Sequence, residues 1–307
     1  MYSYFDTHCD TLNKILSKNI SLDDEKLHIN YKTLSPYKKR VQCFALFNDK
    51  TLKIQDYFDA SEYFEKLCRK DGRIVLCKNM YQTDNALREG KICAILTAEA
   101  LGNTVDLKEK HVYMLKKSGY LMAGLVWNDN NPICSGCYGK NTGLTLWGEK
   151  ILKAMEKASI IPDLSHMSPK SLEDTCSVFC KSPIASHSNI KSICNHKRNI
   201  SDKNMQIIIK KGGVVGINFY PPFVGKEENS DQLIRHINRI IYLGGSKNIC
   251  IGSDFDGIDR CIDGICDASD VNNIFDGLLR HNYPKKLIND ISFNNVYNIF
   301  KKYEIYE

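Results

Sequence analysis

Three of the eight histidines, His8, His166 and His187, fall within or just after short apolar runs, and Asp10, Glu99 and Asp254 occupy comparable places. In the stretch Phe5-Asp6-Thr7-His8-Cys9-Asp10, a strand would project Asp6, His8 and Asp10 to one face. His8 and Asp10 would then lie roughly 6.6 Å apart along the strand, close enough to converge on one cation. A lone His-x-Asp is ordinary half-buried alternation; the joint placement of six such residues is what points to a metal centre. Imidazole and carboxylate donors without thiolate suit zinc, manganese or cobalt in a hydrolytic site. His8, Asp10, Glu99, His166 and His187, five ligands, exceed what one catalytic ion takes while keeping a position open. Two ions sharing a carboxylate would use them all, bind a hydroxide between them and polarise a carbonyl oxygen.

Apolar, strand-like runs alternate with amphipathic, capped helical stretches along nearly the full length. Strands are expected at residues 5–11, 41–47, 92–97, 121–126, 160–164, 183–185, 214–219 and 249–252, the third running on to Glu99. Helical sequence follows the second strand over residues 57–68. Leu144, Trp147, Ile151, Leu152 and Met155 form an apolar stripe at helical spacing, which reads as core. Ser168-Pro169 is an N-cap and first-turn pair, and Ser201 can cap another helix. Eight strands alternating with helices imply a single (β/α)8 TIM-type barrel, with the candidate residues gathered at the C-terminal ends of the strands. An open doubly wound sheet is the alternative that periodicity leaves in place.

The 307 residues suit one such barrel, which typically takes about 250, and no Gly/Ser/Pro linker divides residues 1–307. With 43% hydrophobic and 25% charged residues there is enough apolar material for a large core. The net charge of +6 is spread over scattered lysines without a dense basic run, which argues against nucleic acid. No signal-like segment and no 18-residue apolar run is present. The thirteen cysteines are therefore read as mostly reduced core fillers in a cytoplasmic protein with no membrane partner.

Seven motifs, in order along residues 5–300, resemble the membrane (renal) dipeptidase family, peptidase family M19, among the amidohydrolase-like metal barrels. They are Asp6-Thr7-His8-Cys9-Asp10, Thr97-Ala98-Glu99-Ala100, Gly143-Leu144-Thr145-Leu146-Trp147-Gly148, Asp163-Leu164-Ser165-His166, Ser186-His187-Ser188, Arg198-Asn199 and Gly252-Ser253-Asp254-Phe255-Asp256-Gly257. The resemblance implies a dipeptidase with two Zn2+ ions, Mn2+ or Co2+ being able to replace them. His8 and Asp10 match the ligands of one ion, His166 and His187 those of the other, and Glu99 the bridging carboxylate. Asp254 matches the catalytic proton carrier between the attacking hydroxide and the leaving amine. Arg198 matches the residue that grips the substrate's C-terminal carboxylate, for which a guanidinium offers two parallel donors.

Trp127 stands where mammalian members carry a substrate-binding histidine, and Phe223 where they carry a tyrosine. Both are expected to touch substrate, with a changed preference, and Gly257 to let substrate approach the backbone. Asp256 is assigned to the turn, and Asp6 to support of the site without touching metal. The expected partner is a small dipeptide, D-configured C-terminal residues included, with a homodimer as the candidate assembly. N-acyl-D-amino acids, another amide or a lactone are the alternative substrates, and a non-catalytic binding homologue is the remaining reading. Cys134 and Cys137 form a Cys-x-x-Cys that, with Cys261 and Cys266, could hold a structural zinc, although plain loop packing is the simpler expectation.

Overall fold

Strands such as Tyr4–Cys9 and Ile92–Glu99, with every side chain buried, form the centre of the structure, the pattern of strands covered on both faces. The structure, a computed structural model, describes residues 1–304, so the last three residues of the expected 1–307 domain lie outside the described residues. Among the described residues there are nine strands: β1 (Tyr4–Cys9), β2 (Arg40–Phe47), β3 (Ile74–Leu76), β4 (Ile92–Glu99), β5 (Tyr120–Gly124), β6 (Ile161–Asp163), β7 (Ile184–Ala185), β8 (Val214–Ile217) and β9 (Ile249–Ile251). All pair in parallel, and β2–β4 and β1–β9 pairings close eight of them into a barrel. The open sheet is thereby excluded.

The ninth strand, β3, departs from the eight expected. It pairs with Ile92, Cys93 and Ala94 of β4, on the edge whose upper part, Leu96 to Ala98, pairs with β5. A run of three residues is too short to show a strand period, and so it reads as part of a loop. Several strands also end earlier than expected, β8 at Ile217 rather than residue 219 and β5 at Gly124 rather than 126. The expected helix caps are found: the Ser168 side chain accepts from Ser171 N ahead of Pro169, and Ser201 accepts from Asn204 N. Among the described residues no helix is long and apolar enough to cross a membrane.

The barrel interior is close-packed to the point of excluding side chains. A Cβ on Gly252 would come within 1.8 Å of Ser186 O and 3.0 Å of Gly216 Cα. Outside the barrel, the helix Ser230–Tyr242 buries His236, whose Nδ1 accepts from Ile190 N (3.1 Å) while Nε2 donates to Val224 O (2.8 Å). Burial outweighs the favourable Val224 contact and pushes this imidazole down to about 4. The unfolded chain takes up that proton near its ordinary 6.5, so acid favours unfolding between the two values. The stabilisation is complete above about pH 6.5 and declines as the pH falls toward 4, by roughly 3 kcal/mol at ~1.4 kcal/mol per unit. In urea titrations between pH 7 and pH 4, His236→Gln is expected to lose that much less stability than the parent. Parallel curves would contradict this.

Candidate active site

Every residue singled out for metal chemistry emerges at the same rim of the barrel. His8 belongs to β1, Glu99 ends β4, and Asp10, His166, His187 and Asp254 follow β1, β6, β7 and β9 directly. Asp10 lies just past the strand, at the N-cap of the helix Thr11–Lys18, and the register of β1 shifts between Asp6 and Cys9. The meeting of His8 and Asp10, 3.4 Å from Nε2 to Oδ2, therefore comes from a turn and not from simple strand alternation. Asp6 turns away, as expected of a supporting residue. It accepts from Ser253 N and Oγ, Tyr4 Oη and His8 N.

Glu99 divides its carboxylate between two groups. Oε2 lies 3.6 Å from His8 Nε2, while Oε1 lies 2.9 Å from His166 Nε2 and 3.7 Å from His187 Nε2. His8-Asp10-Glu99 and Glu99-His166-His187 each bring their donor atoms within 4.8 Å of one another, as does His8-His187-Asp254. His8 Nε2 is buried and makes no hydrogen bond. Asp254 presents Oδ1 3.7 Å from His8 Nε2 and accepts from Asn218 Nδ2 on Oδ2 (2.9 Å).

The electrostatics of this cluster are unresolved by its own charges. Burial disfavours the proton on His8, yet Glu99 first, with Asp10 and Asp254, overcomes it and lifts the imidazole to about 10. Burial also lifts Glu99 to about 8, against the pull of His8 and with added repulsion from Asp10 and Asp254. Asp254 is raised in the same way. Burial, reinforced by Arg198 and His8, holds His166 and His187 well below the usual imidazole range. Close carboxylates beside the neutral imidazoles of His166 and His187 form a donor set that accommodates divalent cations.

The cluster floors a cavity of about 1020 Å³. Trp127, Phe223 and Gly257 line it, as does Arg198, which is only 4% exposed. Trp127 packs between Phe47 (5.2 Å) and His166 (5.8 Å), and Phe223 lies beneath the Arg198 guanidinium at 5.6 Å. Gly257 also borders the carboxylates of the cluster. A Cβ there would fall 2.1 Å from Asp10 Oδ2 and 3.0 Å from Asp254 Oδ1, so the missing side chain makes room for the two carboxylates. Asp256 anchors the turn, accepting from Thr11 Oγ1, Lys14 Nζ and His28 N. Asn128, Asn218, Tyr138 and His196 also face the site, although the sequence reading assigned them no role. All thirteen cysteines are free thiols, and among the described residues none joins a group able to hold a metal.

The family model described as membrane dipeptidase (peptidase family M19) matches residues 2–307. The chain belongs to this family. It is thus a metal-dependent hydrolase of dipeptidase type, and the resemblance carried by the seven motifs holds. A metallo peptidase from Rhodobacter sphaeroides, liganded with a phosphinate mimic of the dipeptide L-Ala-D-Ala, shares the fold with a TM-score of 0.88 at 20% identity, over 99% of each chain. An uncharacterized protein of Klebsiella pneumoniae encoded in the pqqA 5′ region is 27% identical over 243 residues, 75% of this chain and 89% of that protein. An uncharacterized dipeptidase of Schizosaccharomyces pombe is 33% identical over 193 residues, 61% of this chain; the match spans about half of that protein, 47%.

The packing around Gly257 leads to a direct expectation for this dipeptidase-family site. Gly257→Ala would displace the Asp10 carboxylate, and misplacement by about 1 Å costs on the order of 100-fold in rate. Steady-state dipeptide hydrolysis should fall by that factor with little change in melting temperature. An unchanged rate would show that Asp10 need not stay where it is.

Proposed function

We propose that the protein is a zinc-dependent dipeptidase that hydrolyses dipeptides with a free C-terminal carboxylate, D-configured C-terminal residues included. The observation that carries this reading is the divided Glu99 carboxylate, with one oxygen toward His8 and the other toward His166 and His187, beneath a cavity that also holds a buried arginine. The donors fit two divalent cations: His8 and Asp10 would hold one, His166 and His187 the other, and Glu99 both. The unpartnered His8 Nε2 supports that fit, since a buried ring nitrogen without a partner is costly. Such a pair of cations supplies an activated water and polarises the scissile carbonyl.

The remaining steps belong to the protein's own residues. Arg198 spends Nη1 on Ser188 Oγ (3.3 Å) and Nη2 on the His187 carbonyl (3.1 Å), which leaves its buried Nε without a partner. Arg198 lines the cavity with Phe223 beneath its guanidinium, a position suited to the substrate carboxylate that would orient the peptide across the cluster. Asp254 stands beside His8 with Oδ2 held by Asn218, and its raised pKa suits a group that takes a proton and returns it. It would accept the proton of the attacking water and deliver it to the departing amine. Trp127 and Phe47 form an apolar wall that orders the substrate side chain and limits water. The phosphinate dipeptide mimic held by the Rhodobacter sphaeroides neighbour supports a D-residue at the C-terminal position.

Purified protein supplied with two equivalents of zinc should cleave members of an L,L and L,D dipeptide panel faster than N-acyl-D-amino acids or lactones. Asp254→Asn should lower kcat by roughly 10²–10⁴-fold, the usual contribution of general acid–base catalysis, with metal content unchanged. Inactivity across the dipeptide panel would refute the substrate assignment, and an unchanged kcat in Asp254→Asn would remove its role.

A further inference from the structure

Behind His187 runs a short chain of hydrogen bonds with only one consistent direction. Asp163 Oδ1 accepts the backbone amides of Ser165 (2.9 Å) and Ser186 (2.8 Å), and Oδ2 accepts the Ser186 hydroxyl. A hydroxyl has a single proton and an ionised carboxylate only accepts, so Ser186 Oγ has only lone pairs left for other neighbours. His187 Nδ1 lies 2.7 Å from that oxygen, and must therefore be the N–H that donates to it. The neutral ring then carries its lone pair on Nε2, toward Glu99.

His166 reaches the same state by a separate route. Asn128 Oδ1 lies 2.9 Å from His166 Nδ1 and 3.6 Å from the Cys137 thiol, and a carbonyl oxygen accepts from both. His166 consequently also bears its proton on Nδ1. The two Nε2 atoms face each other at 2.9 Å, and His166 Nε2 is 2.9 Å from Glu99 Oε1. Three electron-rich atoms thus meet with no ring proton between them, an arrangement suited to a bound cation.

We propose that Asn128 and the Asp163–Ser186 pair are positioning residues: they fix the Nδ1–H tautomers of His166 and His187, so that both Nε2 lone pairs are presented to a single cation. This rests on the reading of those histidines as metal ligands. It concerns one cation of the pair, because the described contacts of His8 and Asp10 include none of these three residues. Residues that orient a ligating histidine typically contribute about 10–100-fold in metal affinity.

The test dialyses full-length protein against graded chelator and measures bound zinc. Ser186→Ala and Asn128→Leu should each weaken retention of one zinc equivalent by about 10–100-fold while the other stays at the parent level. Ser186→Thr and Asn128→Asp keep an acceptor for Nδ1–H and should restore retention. Cobalt-substituted Asn128→Leu should lose the absorption of one site only. Should Ser186→Ala fail to fold, Asn128→Leu decides, since Asn128 is a half-buried loop residue. Parent-like retention in the Ala and Leu variants, or equal loss in the folded Thr and Asp variants, overturns the positioning role. Absence of any bound metal in the parent would instead refute the ligand reading beneath it.

Discussion

Everything at the barrel mouth depends on the carboxylate of Glu99 being shared. Its two oxygens face His8 on one side and His166 and His187 on the other, three nitrogen donors supplied by three different strands, and burial raises the cost of charge throughout the cluster. A buried carboxylate with two more acidic groups close by is costly in a low-dielectric site, and His166 and His187, held neutral, bring no balancing charge. Cations bound on either side of Glu99 would relieve that cost. The same sharing sets the spacing at which a peptide carbonyl could meet an activated water.

The scaffold holds this arrangement at the expense of local backbone strain. His166, Asp254 and Asp256 all adopt left-handed backbone, with φ of 65°, 66° and 68°, a state that costs non-glycine residues about 1–3 kcal/mol each. The strain is offset by contacts that over-determine each turn. Asp256 gathers Thr11, Lys14 and His28, Asp6 ties Ser253 to β1, and Asn218 holds Asp254. The close approach at Gly252 and the absent side chain at Gly257 keep the strand ends near enough for those contacts to form.

Much of this was legible in the amino-acid order, for a physical reason. A parallel barrel collects its strand ends at one rim, so histidines and carboxylates that recur after apolar runs must meet there. The helix caps at Ser168 and Ser201 are local hydrogen bonds, and local signals survive in sequence. β3 escaped because three residues carry no period. The turn at Asp10 escaped because a register shift within β1 leaves no mark on residue type. The supporting residues are the clearest loss. Asp163 and Ser186 sit inside recognised motifs, but their bond joins positions 23 residues apart, and Asn128 lies 38 residues from the His166 it serves. Only the folded barrel puts those pairs side by side.

The central claim is that Glu99 stands between two bound cations. A crystal structure with anomalous data collected above and below the zinc edge addresses it most directly. Two peaks are expected, one within bonding distance of His8, Asp10 and Glu99 and one within bonding distance of His166, His187 and Glu99. A single peak, or peaks that leave Glu99 uncoordinated, would contradict it.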